Sequence, residues 1–287
     1  MSDQILRLAL PKGRMKDGVY QLLSEAGIKV REGARNYRPS ISLDGFEVKI
    51  LKPQNIIEML HVGSRDIGFA GADWVAELGA ELVEVLDTGL DPVRLVAAAP
   101  VALLENGALP NKHLVVASEY KNLTQNWIKE RGMDATFVRT YGATEVFPPE
   151  DADCIVDNTA TGSTLRANDL DIVDELMRSS TRMYVNPKVL DVPEKRDRIE
   201  NLILILRAVL EARTRVMVEV NVEEGRLEQL VRELPCMREP TISPLHGHSG
   251  YAVKVAVLRS ELPSLIPNIR AHGGTDIVVT NINQIVP

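Results

Sequence analysis

The residues best equipped for chemistry cluster between Asp153 and Leu165, in the run DCIVDNTATGSTL. It opens as a buried strand would, with Ile155 beside Val156, and then turns small and polar through Thr161-Gly162-Ser163-Thr164. A strand that enters a glycine-containing loop ahead of a helix leaves backbone N–H groups free for an anion, and the helix N-terminus adds partial positive charge. Gly162 lets the backbone come close to a ligand, while Thr161, Ser163 and Thr164 offer hydroxyl donors. A phosphate monoester matches that chemistry. Asp153 and Asp157 ask for something else. In a strand, residues at this spacing share one face, and Asp157 sits nearest the loop. Carboxylates repel phosphate but accept hydrogen bonds from sugar hydroxyls. Phosphate in the loop with a sugar over the carboxylates describes a 5-phosphoribosyl group. The competing reading is a plain turn after a surface aspartate; the paired carboxylates and the strand context weigh against it.

The elements that must hold this loop can be read from periodicity. Strand-like runs fall at Ile5–Leu10, Phe46–Leu51, Asp66–Ala70, Arg94–Ala99, His113–Ala117, Ala135–Val138 and Asp153–Asp157. Helical patterns fall at Gly18–Gly27, from Pro53 onward, at Asp73–Leu78 and at Thr124–Arg131. That alternation predicts a mostly parallel sheet covered on both faces. The chain is read as leaving one sheet at Ala97–Pro100 and returning near Met183–Val185. A long helix is predicted over Asp197–Ala212. Thereafter Arg215–Val222, Glu223–Leu234, Thr241–Leu245, Tyr251–Leu258, Glu261–Ala271 and Ile277–Thr280 give the order β-α-β-β-α-β, the ferredoxin-like pattern.

Composition narrows the function. A length of 287 residues suits two or three domains. The net charge of −7 and an aromatic content of 4% disfavour nucleic acid as a partner. No run of about 18 apolar residues predicts a membrane span, and MSDQILRLALPKGR reads as a first strand rather than a signal peptide. Cys154 and Cys236 are too few for a disulfide framework and fit free thiols in a reducing cytoplasm. Cys154, inside a strand, reads as packing. His246-Gly247-His248 lacks a third ligand and reads as a solvated pair, so no protein metal site is expected.

At this point a family resemblance enters. DCIVDNTATGSTLRAND resembles the phosphoribosyl-diphosphate loop of the ATP phosphoribosyltransferases, which open histidine biosynthesis. LALPKGRM resembles that family's first strand and KGR loop. DIGFAGADWV, LDTGLDPVRLVAAAP and GATEVFP resemble three further family segments, in the family's order. REPTISPL with the tail that follows resembles the regulatory domain of the long form. The sequence departs from the family at Asn158-Thr159, where an apolar pair is usual. It also departs at Ala160, where an acidic residue or serine is usual, and at Asp91-Pro92-Val93.

The resemblance implies that N1 of ATP attacks C1 of 5-phosphoribosyl 1-diphosphate and pyrophosphate leaves. N1 is neutral and nucleophilic, so positioning and charge stabilisation outweigh general-base catalysis. Mg²⁺ would be held largely by substrate oxygens. Lys12 and Arg14 are the expected catalytic cations, since they directly follow the first strand, where open α/β sheets bind ligands. The donor would meet Asp153, Asp157, Thr159, Ala160, Thr161, Gly162, Ser163, Thr164 and Leu165. ATP would meet Lys52, Asp73, Asp87, Arg94 and Glu145, although Asp73 would serve equally as a helix N-cap. Histidine, as feedback inhibitor, would bind in the loop Cys236–Leu245, at Thr241. The implied fold is α/β, with two periplasmic-binding-protein-like lobes and a ferredoxin-like regulatory domain. Lobe I comprises 1–96 and 181–212, lobe II, carrying the phosphoribosyl loop, 97–180, and the regulatory domain 213–287. A cytoplasmic homo-oligomer, hexamer and dimer, is implied as well. Three rivals are a solute-binding protein, which would need an export signal, a prephenate dehydratase, which would lack the phosphate loop, and a non-catalytic histidine sensor, which need not keep the two loops.

Overall fold

The computed structural model describes residues 4–33, 37–235, 237, 239–247 and 249–286. In chain order the elements are β1 (Leu6–Pro11), α1 (Met15–Glu25), β2 (Val30–Arg31), β3 (Ser40–Ile41), β4 (Phe46–Leu51), α2 (Pro53–His61), β5 (Ile67–Gly71) and α3 (Ala72–Leu78). Then come β6 (Val83–Pro100), β7 (Leu114–Ser118), α4 (Lys121–Glu130), β8 (Ala135–Arg139), β9 (Cys154–Thr159), α5 (Ser163–Ala167), β10 (Leu170–Val185) and α6 (Pro193–Thr214). The last six are β11 (Arg215–Val222), α7 (Leu227–Glu233), β12 (Thr241–Pro244), β13 (Tyr251–Leu258), α8 (Leu262–Ala271) and β14 (Thr275–Asn281). The chain forms two compact units, one of residues 1–21 and 28–200, the other of residues 22–27 and 201–287.

The first unit is built on an eight-stranded sheet in the order β4-β1-β5-β10-β6-β9-β7-β8. Its two flanks are parallel, β1 with β4 and β5, and β7 with β8 and β9. Its centre is antiparallel, through β10 with β5 and β6, and β6 with β9. The sheet is therefore mixed rather than mostly parallel. The difference lies in β6 and β10, of 18 and 16 residues, which carry the chain out and back across the middle. Periodicity finds only one end of each. Asp91-Pro92 looks like a strand break, yet the pairing steps from Leu90↔Thr181 to Val93↔Ser179, so two residues oppose one. Asp91 adopts φ +48° there and accepts from Thr181 Oγ1 at 2.9 Å. A bulge is where a strand tolerates a proline that cannot donate.

The core of this unit joins Ala9, Ile56, Ile57, Leu60, Ala70, Leu95, Ala97, Val116 and Val156 from strands and helices along the whole sheet. One buried ion pair ties its edge. Asp66, 0% exposed, accepts from Arg7 N at 2.8 Å, Nε at 3.1 Å and Nη2 at 2.7 Å, with Lys195 Nζ at 3.3 Å.

In the second unit four antiparallel strands lie in the order β12-β13-β11-β14. Valines at alternate positions, 216 to 222 in β11 and 253 to 257 in β13, all point to one face, as a period of two requires. There they pack against Leu230 of α7 and Leu265 and Ile269 of α8. The helix predicted over Glu223–Leu234 begins with a 3-10 turn, Glu224–Arg226, before α7. Among the described residues no helix is long and apolar enough to cross a membrane.

Candidate functional site

A cavity of about 420 Å³ opens where β7 and β9 end, bounded by the loop into α5, the turn at residues 142–145, and Arg14. The loop is preformed by its own sequence. Thr159 Oγ1 accepts from Gly162 N at 3.0 Å, and Thr161 Oγ1 donates to Ser163 Oγ at 3.0 Å. Gly162 stands at φ +74°, immediately before α5. A side chain there would be strained, and its Cβ would lie 3.0 Å from Arg166 Nη1. Arg166 Nη2 donates to the Thr161 carbonyl at 3.0 Å, and Asn168 Nδ2 to the Thr164 carbonyl at 2.9 Å. Leu165, buried, anchors the far end among Val96, Ala98, Ala117 and Ile155. The exposed Thr161, Ser163 and Thr164 therefore face the cavity from a fixed backbone.

The opposite wall is acidic. Glu119, Glu145 and Asp157 line it, and Arg14 is the one cation among the described lining residues. Burial pushes the Asp157 carboxyl up to about 6; the backbone N–H of Asn158, at 2.7 Å, opposes this, while Glu145 and Glu119 add to it. Ala143, at φ +49°, and a Thr140–Thr144 hydroxyl contact of 2.7 Å shape the turn that presents Glu145. Behind the wall, Asn158 Nδ2 donates to Tyr120 Oη at 2.9 Å, and that hydroxyl donates to Asp73 Oδ2 at 2.6 Å. The Tyr120 ring stacks on Trp74 with centroids 4.6 Å apart.

The residues singled out by sequence divide clearly. Arg14, Glu145, Asp157, Thr159, Ala160, Thr161, Ser163, Thr164 and Leu165 all line the cavity, with Gly162 as the pivot of the loop. Asp153 does not. It precedes β9, so the shared-face argument does not reach it; its Oδ2 accepts from Val115 N at 2.8 Å and its Oδ1 lies 3.4 Å from Lys112 Nζ. Asp73 is neither a helix cap nor open to a ligand. Gly71 holds the cap position, and Asp73, 3% exposed, spends its two oxygens on Tyr120 and Ser179. Asp87 accepts from Gly89 N at 2.9 Å and Ser180 Oγ at 2.8 Å on the β6–β10 ribbon. Arg94 pairs in register with Thr159, and its side chain meets Glu175 at 3.2 Å. Lys12 and Lys52 follow the ends of neighbouring strands β1 and β4, outside the cavity lining; Lys12 N donates to Leu51 O at 2.9 Å and its Nζ lies 5.7 Å from the Tyr37 ring centre. Thr241 is exposed in the second unit, opposite Lys254. Cys236 and His248 lie outside the described residues. Cys154 is buried and its thiol pushed up to about 12 by that burial, which keeps it protonated. Sequence reasoning did not pick Glu119, Gly142, Ala143, Thr144 or Asn158, all in the lining, as ligands. Glu119 directly follows β7, so the strand-end rule that pointed to Arg14 points to it too.

Such a loop, set at the carboxyl ends of strands in an α/β sheet, marks the class of proteins that hold phosphorylated small molecules. Comparison with known proteins gives the family. The model described as ATP phosphoribosyltransferase matches residues 52–208, and that of the same family's C-terminal domain matches residues 212–284. The ATP phosphoribosyltransferase of Chlorobium phaeovibrioides is 36% identical, with 99% of each chain covered. That of Pelotomaculum thermopropionicum is 34% identical over 98% of this chain and 99% of its own. Among solved structures, a chain of the ATP phosphoribosyl transferase (HisG:HisZ) complex from Thermotoga maritima superposes with a TM-score of 0.65 at 27% identity, covering 72% of this chain and 99% of that one. The chain belongs to the ATP phosphoribosyltransferase family, the pentosyltransferases that catalyse the first step of histidine biosynthesis.

Proposed function

We propose that the cavity above the α5 loop holds 5-phosphoribosyl 1-diphosphate while N1 of ATP attacks its C1. The observation that carries this reading is the pairing of a preformed hydroxyl loop with a half-buried acidic wall in one cavity. The loop suits the 5-phosphate, and Asp157 suits the sugar hydroxyls. Arg14 offsets charge on the departing pyrophosphate, and Lys12 and Lys52 add positive charge at the neighbouring strand ends. Three carboxylates against one arginine would repel a free diphosphate. A divalent ion such as Mg²⁺ fits this oxygen-rich cavity, and on the diphosphate it would neutralise leaving-group charge. Among the described residues no group of three or more His, Cys, Asp or Glu side chains is placed to hold a metal ion.

Lys52, Asp87, Arg94 and Glu145 remain the ATP-side residues of this reading, with Asp73 acting from behind the wall. Lobes of 1–96 with 181–212 and of 97–180 would be joined through β6 and β10, as in periplasmic binding proteins. The strand order of the second unit, flanked by two helices, supports a ferredoxin-like regulatory domain over 213–287. Histidine would bind it near Thr241 in a cytoplasmic homo-oligomer, hexamer or dimer.

The test is an absorbance assay for the adduct of ATP and donor, run on pure protein with and without Mg²⁺ and histidine. Thr164→Val should raise the donor KM several-fold and the ATP KM much less, since it removes one hydroxyl from the phosphate loop. Equal losses for the two substrates would refute the assignment of the loop.

A further inference from the structure

Asn158 lines the cavity, and nothing above gives its side chain a role toward a ligand. The bonds behind it have one consistent polarity. A carboxylate only accepts, so the Tyr120 hydroxyl must donate to Asp73, at 2.6 Å. Tyr120 is 0% exposed, and its pKa is raised first by that burial and then by the Asp73 charge, so it keeps the proton. Ser179 Oγ, donating to Asp73 Oδ1 at 2.6 Å, fixes the carboxylate from its other side. With its proton committed, the Tyr120 oxygen can only accept, and only the NH₂ end of Asn158 satisfies it, at 2.9 Å. Turning the amide over would set oxygen against oxygen beside a buried carboxylate. The Oδ1 end is left with no hydrogen-bond partner among the described residues.

We propose that Asn158 is a specificity-determining residue for the donor sugar, its Oδ1 accepting a hydrogen bond from a ribose hydroxyl, with Tyr120 and Asp73 as the positioning residues that lock its amide. This rests on the reading of the cavity as the donor's site. Asn158 stands between Asp157, on the acidic wall, and the loop that takes the phosphate, so a sugar that spans the two passes over it. A neutral acceptor also suits the place. It recognises a hydroxyl without adding a fourth negative charge beside Glu119, Glu145 and Asp157.

The experiment measures KM for donor and for ATP, and inhibition constants of the 2-deoxy and 3-deoxy donor analogues. It compares the unmodified protein with Asn158→Leu, Tyr120→Phe and Thr164→Val. Asn158→Leu should raise the donor KM about fivefold or more and leave the ATP KM within about twofold. One deoxy analogue, already weak on the unmodified protein, should lose nothing further on Asn158→Leu. Tyr120→Phe, which keeps the ring and frees the amide to turn, should give a smaller loss confined to the donor. Equal losses on ATP and donor, or deoxy analogues that weaken as much as the parent, would overturn the inference. If Thr164→Val weakens the donor while Asn158→Leu and Tyr120→Phe do not, this inference alone falls. If Thr164→Val has no effect on the donor either, the cavity reading falls with it.

Discussion

Asp157 carries a cost that its removal should reveal. Its carboxyl is pushed from the ordinary 3.8 to about 6, by burial first and then by Glu145 and Glu119. A raised carboxylate pKa means that the fold favours the protonated form. The associated stability is fully present below the unfolded value, is lost as pH rises through the folded value, and stays lost above it. The gap between 3.8 and about 6 is worth about 3 kcal/mol at neutral pH. Asp157→Asn removes the charge but keeps an oxygen to accept from Asn158 N, whose bond to Asp157 Oδ1 is 2.7 Å. The substitution should therefore stabilise the ligand-free protein by up to about 3 kcal/mol at pH 7.5 while it weakens donor binding. Urea unfolding of both proteins at several pH values measures this. The advantage of the asparagine should be complete above pH 6.5 or so and shrink towards zero as pH falls to about 4. Glu145→Gln should make this cost smaller and complete at a lower pH, because one of the charges that raises the folded Asp157 is gone. A gain that does not vary with pH, or no gain at pH 7.5, would refute the argument.

Three further outcomes are expected. Asp66→Asn should destabilise the protein by about 3 kcal/mol, because it leaves Arg7 and Lys195 beside a buried neutral group, and thermal unfolding reads this directly. Burial pulls the Asp66 pKa up, but the hydrogen bonds and charge of Arg7, then the charge of Lys195, hold it below the ordinary value. Its contribution should thus persist from neutral pH down and fade only in strong acid, as pH falls through the depressed folded pKa. Arg14→Met should lower kcat/KM for the donor about tenfold or more, since it removes the one cation among the described lining residues, and added salt should blunt the difference. Thr241→Ala should raise the histidine concentration needed for half-inhibition several-fold with the uninhibited rate unchanged; a changed uninhibited rate with unaltered inhibition would move the effector site elsewhere.

Much of the site was legible because its chemistry is local. Thr161 to Leu165 sit together in the chain, and a strand, a glycine and a helix in succession place them together in space. Arg14 and Glu145 followed from strand-end position and motif. Asp153 misled because the strand-face rule needs the strand to include it, and β9 begins one residue later. Asp73 misled because a carboxylate near a helix start looks available, whereas its partners Tyr120 and Ser179 are 47 and 106 residues away in sequence. The same limit hid Asn158. In the fold, short alternating runs such as Arg215–Val222 and Tyr251–Leu258 were read to the residue. The long strands β6 and β10 were not, because glycine, proline and charged residues interrupt a pattern that pairing restores through bulges.

Those two strands have a mechanical consequence. The flank that carries Arg14 and the flank that carries the loop before α5 are not strung on a slack linker; they share one continuous antiparallel ribbon. Any opening or closing between them must twist hydrogen-bonded backbone, so the movement has a restoring force, as in a leaf spring. The pairing is interrupted near Ile172, Glu175 and Ser179 and again towards Tyr184, and each interruption is a softer coil in that spring. The ribbon's stiffness, rather than the length of a tether, would set how far the mouth of the cavity opens and how quickly it recoils.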